Sequence, residues 1–576
     1  MATCREPLRP TPDPLSDFKE CTVHRPTRIL VTLALLTTLA LPAPARAQST
    51  PPKVQVVLKS ADGVLKDIKL LLDLTSKNEQ KQWNNVKDVI DTFLFGIDPK
   101  KPVAINVILD SKEEDFHFVL PVSNLKDFIA DNLEGFGYTV RKIGPTLYRL
   151  SENKKVLAFM RYQKGYATID VSRNQVNAIF NPAAATAALL AKQQTLSATI
   201  KNSADGQDAR RDKIVEIKKN LLAAIKPRKS ETREQMALRR ELVELQWDEA
   251  GRFFAESEAL SLGFRIDPKT KQAHMDIDLV ALPDTGLEKA VHKLANTPSH
   301  FANVARADDS ILSFRINHPL DAFRRTGLQA VLAAIQQAGQ AEIARTASAT
   351  DAQKDASNTT LNTVVTVIQS TLAKGLLDAF IQVTPTATGA HVMVAGIRTH
   401  QGQQLRAALV ALPNSTEPTN VQLDSERIGD VTIHVVTVPA KLGADFASIF
   451  GDATTLLVGT SDNAAWCAAG PGALEALKAA INEQAARPAP GKADPAFFDL
   501  AIKLRPWIQA LDKHMGTEGE VDDRKMAIKA FAGGQDTLEL KLRRVDNRVV
   551  GRTTLGTGVL RFLGKKVAEF SKENLE

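Results

Sequence analysis

The stretch AHMDIDL places His274, Asp276 and Asp278 at every second residue. On an extended chain these side chains share one face, about 7 Å apart in successive pairs. An imidazole and two carboxylates so arranged have the chemistry to hold a divalent cation. The solvated face of a half-buried strand produces the same alternation, with Ala273, Met275, Ile277 and Leu279 turned to the core. Edge strands favour such charges as well. We take the solvated-face reading and assign no metal ligand.

The remaining reactive residue types are isolated. His117, His391 and His434 fall in strand-like stretches, with no Asp, Ser or Cys at the spacing of a catalytic unit. DSKEED, from Asp110, is acidic but lacks the D-x-D-x-D-G order of a calcium loop, so it reads as a hairpin turn. Cys467 lies among Ala and Trp in NAAWCAAGPG, with no cation nearby to lower its thiol pKa. It reads as a small buried residue. The following Gly470-Pro471-Gly472 introduces a helix at Ala473; no Lys-Ser/Thr pair makes it a phosphate loop. Metalloprotease, nucleophile-elbow and dinucleotide motifs are missing from the sequence. The sequence therefore predicts no catalytic residue, no cofactor and no enzymatic activity.

The elements that carry these residues repeat. VAINVIL (103–109) and FHFVL (116–120) read as a hairpin. Pro121 ends the second strand, Ser123 or Asn124 caps a helix with Asp127 in its first turn, and Gly135 stops it. The same strand-turn-strand-helix order recurs near Ala259, Asp378 and Lys529. Meandering strands follow the first and third copies, over GYTVRKIGPTLYRL to NQVNAIF and over NVQLDSERIGDVTIHVVTV to TTLLVGTS, each closed by a helix, the second over 473–481. Two long helical segments punctuate the series. Residues 205–258 break at Pro227. Residues 320–377 are interrupted by TASATDAQKDASN, a loop or frayed helix. Met236, Leu238, Leu242 and Leu245 form an apolar stripe that fits a partner or, more simply, a neighbouring helix of the same chain.

The ends and the composition bound the rest. Arg25 and Arg28 precede the uncharged run Ile29–Leu41, and Ala45-Arg46-Ala47 offers an A-x-A site. That is a secretory signal, too short to span a bilayer, with cleavage expected after Ala47. Cys4 and Cys21 leave with residues 1–47, so no internal disulfide is possible in the mature chain. The net charge of +7 is interspersed, and no basic block interleaved with aromatics suggests nucleic acid. No later segment is apolar and long enough to span a membrane.

FHFVLPVSNLKDF, followed by TLYRL and AFMRYQKGYATIDVSRNQV, resembles a group of uncharacterised exported bacterial proteins of planctomycete-type genomes. The likeness rests on a strand ending in a P-V-S-D/N turn and on a later aromatic-Gly-aromatic-Ala strand, here Lys164-Gly165-Tyr166-Ala167 with Lys in place of the first aromatic. It is close over residues 100–180 and loose elsewhere. The resemblance implies secretion and an α+β fold and carries no site residue.

The sequence thus predicts an α+β protein: a tandem duplication of ββα-type units, with antiparallel sheets covered on one face by helices and with long helical hairpins. The expected divisions are a signal peptide over 1–47, a first half over 48–306 and a second over 307–576. The expected function is that of a periplasmic or secreted, non-enzymatic scaffold or binding protein for an envelope protein or ligand. The alternative is a carrier that holds an apolar or amphipathic ligand between sheet and helices.

Overall fold

Alternation and turn chemistry explain the local structure. In the computed structural model, residues 53–575 are described apart from 110–113, 174–175, 177–192, 229–230, 439–445, 448, 452–453, 487–495 and 515–517. The expected signal peptide and the DSKEED turn from Asp110 to Glu113 lie outside the described residues. The first ten strands are β1 (Lys53–Leu58), β2 (Val103–Leu109), β3 (Glu114–Pro121), β4 (Thr139–Lys142), β5 (Leu147–Glu152), β6 (Lys155–Gln163), β7 (Tyr166–Asp170), β8 (Leu196–Lys201), β9 (Ser257–Asp267) and β10 (Gln272–Ala281). The next ten are β11 (Leu312–Pro319), β12 (Leu376–Pro385), β13 (His391–Arg398), β14 (Val421–Ile428), β15 (Val431–Thr437), β16 (Thr455–Thr460), β17 (Ala464–Ala469), β18 (Ala496–Lys503), β19 (Thr537–Val545) and β20 (Arg548–Leu555).

Every pairing is antiparallel, and together they make one sheet. Across it the order is β4-β5-β6-β7-β3-β2-β1-β8-β9-β10, then β20-β19-β18-β11-β12-β13-β17-β16-β15-β14. The second run, read from its outer end, repeats the first with each strand number raised by ten. The two runs meet where β10 pairs with β20, from Ala273 opposite Leu555 to Val280 opposite Arg548.

The helices are α1 (Ala61–Asp73), α2 (Lys77–Gln80), α3 (Gln82–Phe93), α4 (Leu125–Asn132), α5 (Gln207–Ala224), α6 (Arg233–Glu256), α7 (Gly286–Lys293), α8 (Ala322–Arg345), α9 (Asp351–Ala373), α10 (Leu405–Ala411), α11 (Ala473–Ala485), α12 (Leu504–His514), α13 (Glu518–Phe531) and α14 (Thr557–Asn574). The expectation that helices cover one face is corrected. On the His274 face, α11 buries Leu477 and Ile481 against Trp466, Val394 and Ile433. On the Met275 face, α14 sets Leu560 on Ala273 and Ile266, and α4 sets Phe128 against Met160. The reason is compositional: the strands near both ends of the sheet are apolar on both sides, so each side demands cover.

Locally the structure departs from expectation at the end of α4 and at the start of α9, and follows it along α6. The turn after α4 reaches its left-handed residue at Gly137 (φ 89°), because a 3-10 turn over Glu134–Phe136 takes up Gly135. The stretch TASATDAQKDASN is mostly helix: Thr350 and Gln353 form a capping box that starts α9 at Asp351. The stripe of α6 packs on its own chain, with Leu245 against Gly327 of α8, while Leu242 stays exposed. Arg324 grips Glu249 through two donors at 2.5 and 3.1 Å, and Arg252 reaches Asp321 at 2.6 Å. Among the described residues no helix is long and apolar enough to cross a membrane.

The Pro121–Asn124 turn ends a strand and caps a helix. Asn124 Oδ1 accepts the backbone N–H groups of Lys126 and Asp127, while Ser123 Oγ donates to the Gly96 carbonyl. Asn124→Ala should therefore cost about 1 kcal/mol. Urea unfolding should show this as a lower midpoint with an unchanged slope.

Candidate functional site

The His274, Asp276 and Asp278 side chains do share one face of β10, as their spacing predicts. Each carboxylate already faces a guanidinium from β20. Arg552 Nε donates to Asp276 Oδ1 at 2.7 Å, and Arg548 Nη1 stands 3.5 Å from Asp278 Oδ2. His274 Nδ1 lies 3.3 Å from Thr554 Oγ1, and its pKa is lowered by burial and by the Arg265 and Arg552 cations. Among the described residues no group of three His, Cys, Asp or Glu side chains is arranged to hold a metal. The face is a cross-strand ladder of opposite charges.

The histidines need sorting by tautomer. His117 is buried, and its Nδ1 lies 3.1 Å from Asp170 Oδ2, whose other oxygen accepts the Ser172 N–H. The carboxylate calls for a proton on Nδ1, which turns Nε2 away from it. No described hydroxyl or thiol is hydrogen-bonded to Nε2. His117 instead begins a polar row through its cross-strand partner Asn106, then Gln55, Thr199 and Ser261. That row is tied by Gln55 Nε2 to Asn106 Oδ1 at 2.9 Å and by Thr199 Oγ1 with Ser261 Oγ at 3.1 Å.

His434 is a constellation that sequence spacing missed. Its Nε2 is 3.1 Å from Thr460 Oγ1 and its Nδ1 is 3.6 Å from Asp424 Oδ1, which has the outline of a hydroxyl-histidine-carboxylate triad. The tautomer is the wrong one. The Asp424 backbone N–H donates to Nδ1 at 3.1 Å, so Nε2 carries the proton and donates to Thr460. A base that is already protonated toward the hydroxyl cannot activate it. Asp424 arrives through the bulge between Gln422 and Glu426, which no spacing rule anticipates.

The other candidates are inert as well. Cys467 sits on β17, and burial pushes its thiol up to about 11. A cavity of about 260 Å³ lies between α11 and β12–β13, over Ala476, Ala479 and Ala480. Its charged and amide groups are engaged: Arg306 with Asp499, Glu483 with the Ala305 N–H, and Gln382 with the Ala307 N–H. It is a gap left by small side chains.

Among the described residues, the feature without a structural partner is on the Met275 face. Ile277 is paired with Leu262 and Gly551, and the line continues through Ala198 and Val56 on one side. On the other side it runs through Leu542, Phe498, Ile316, Ala379 and Ile397. A second line runs beside it: Leu196, Phe264, Met275, Thr553, Leu540, Leu500, Phe314 and Ile381. Sequence alternation places Met275 and Ile277 in a core. Ala273 and Leu279 are indeed buried, but Met275 is 40% exposed, Leu262 42%, Ile397 39% and Leu196 37%.

The helices explain this exposure. On one side α14 covers the Ala273 row. On the other, Phe253 of α6 with Leu287 and Val291 of α7 covers Leu279 and Leu260. The long helices otherwise pack on one another, as in the Leu332, Val365 and Leu372 cluster of α8 and α9. A trough remains between the two helical walls, floored by the two apolar lines. The alternation in QAHMDIDLVA marks the apolar side of β10; only the register across strands shows that the described helices leave the middle of it open, with Phe264 reaching the Leu560 cluster at one side.

No family model, no curated protein and no solved structure matches the chain.

Two measurements follow. Thr460→Val removes the acceptor of a buried N–H and should cost about 1–3 kcal/mol of stability. Equilibrium unfolding should show that loss. His318 is held down to about 4 by burial and by the Arg324 cation, against the opposing pull of the Pro319 carbonyl. The unfolded ring protonates near 6.5, so its stabilisation is complete above that pH and is lost as pH falls toward 4. The loss should amount to about 3 kcal/mol. The His318 Cε1–H resonance should titrate near pH 4; a midpoint above 6 would contradict this environment.

Proposed function

We propose that this chain is an exported, non-enzymatic binding protein built from two copies of one ten-strand unit, and that it binds through the trough on the Met275 face. The bare apolar floor carries this reading. Contiguous exposed apolar surface beyond a few hundred Å² on a folded protein marks a place where something else binds. Here the apolar lines cross nine neighbouring strands; they are exposed at Leu196, Leu262 and Met275 on β8, β9 and β10 and again at Ile397 on β13, and partly exposed between.

The repeated strand order supports duplication, with the boundary near Ala307 between α7 and β11. Helix placement agrees: α5 and α6 between β8 and β9 match α12 and α13 between β18 and β19. The basic, apolar and A-x-A series ending at Ala47 supports export. The tautomer of His434, the engaged carboxylates of β10 and the inert Cys467 leave the trough as the surface best suited to function.

The test is the fluorescence of N-phenyl-1-naphthylamine, which brightens in apolar surroundings. The full chain should enhance it saturably. Ile277→Asp combined with Leu262→Asp should weaken binding about tenfold or more, because a floor carboxylate must be desolvated. Unchanged enhancement in a folded double variant would refute the trough as the binding surface.

A further inference from the structure

We infer that the occupant of the trough is the acyl chain of a membrane lipid, lying across the strands; this rests on the reading of the trough as the binding surface. The floor has almost nothing to hydrogen-bond. Leu196, Phe264, Met275, Leu540, Phe314 and Ile381 line one row, broken only by the Thr553 hydroxyl, and the neighbouring row is apolar from Ala198 to Ile397. Each floor strand is paired on both sides, so its backbone offers no free donors or acceptors. An extended peptide laid there would leave its own N–H and C=O groups unsatisfied, at a cost of several kcal/mol each. An acyl chain has no such groups.

Dimensions favour the same occupant. The covered rows of Ala273 and Leu279 are six residues apart, which is about 20 Å along a strand. A helix is about 10 Å across, so two walls that each overhang by half that width leave roughly 10 Å of floor. That gap takes one or two hydrocarbon chains side by side and keeps out a second sheet, which needs an open face. Along the trough, nine strands at about 4.8 Å give roughly 40 Å. One bilayer leaflet is about 15 Å of hydrocarbon, so the floor is more than long enough for a full acyl chain. The chain is +7, and about +5 once the six basic and four acidic residues of 1–47 are removed, which biases the surroundings toward anionic headgroups.

The experiment uses the full chain with two photoreactive probes that carry a diazirine at mid-chain: a free fatty acid, and phosphatidylglycerol in vesicles. Cross-links should map to peptides containing Phe264, Met275, Leu540 or Ile381. They should fall at least tenfold in the Ile277→Asp, Leu262→Asp variant, provided its circular dichroism and melting temperature are unchanged. Thr553→Val, which removes the one polar group of the floor, should keep or strengthen the labelling, and gives an independent check should the double variant unfold. Labelling by the vesicle probe supports a membrane lipid as the occupant, and labelling by the free acid alone would overturn that source in favour of free fatty acid. Labelling outside the trough, or none by either probe while N-phenyl-1-naphthylamine still binds and an amphipathic helical peptide displaces it, would overturn the acyl assignment and leave the trough as a peptide site. Loss of both dye binding and labelling would overturn both.

Discussion

Eight backbone pairs between β10 and β20 hold the architecture together. Without them each ten-strand run would end in an open edge, a template for pairing with any other chain. The seam is specified on both faces. On one, Asp276 meets Arg552 and Asp278 meets Arg548. On the other, Gly551 sits opposite Ile277; a Cβ there would come within 2.5 Å of Leu542 Cδ2. Because the seam is antiparallel and in register, apolar residues of one run continue into those of the other, and a local alternation becomes a stripe that crosses the whole molecule.

That continuity has a cost. Apolar surface left in water weakens folding by roughly 25 cal/mol for each Å² that burial would have removed. A chain under no other constraint would drop a helix onto Met275 and Leu262. This one spends its long helices on each other, and fixes α6 to α8 with the Arg252–Asp321 and Arg324–Glu249 ion pairs. Those contacts tie a helix of the first run to one of the second, so they brace the seam while leaving the floor open. The opposite face, with its charge ladder, has no comparable need for cover.

Much of the local structure was legible in the sequence. The hairpins over 103–121, 257–281, 376–398 and 537–555, the break near Pro227 and the cap at Asn124 all follow from alternation, proline and capping chemistry. Three strands were not. β8 (LSATIK) is short and polar, β17 (AAWCAA) is alanine-rich, and β18 follows the linker-like PAPGKADP. Each is a strand because it has partners on both sides, which propensity does not encode. The same limit hid the trough. Its residues come one from each strand, so the stripe exists only once register is known. The alternation around His274 separates a polar face, whose carboxylates pair with Arg548 and Arg552, from an apolar reverse that alternation alone places in a core.

The most direct measurement is hydroxyl-radical footprinting of the full chain without added ligand, with the oxidation rate of Met275 followed by peptide mass spectrometry. A bare floor predicts that Met275 oxidises at the rate of a solvent-exposed methionine, far faster than the fully buried Met160. If Met275 were as protected as Met160 at every protein concentration, another part of the chain would have to cover the face, and the trough would not exist.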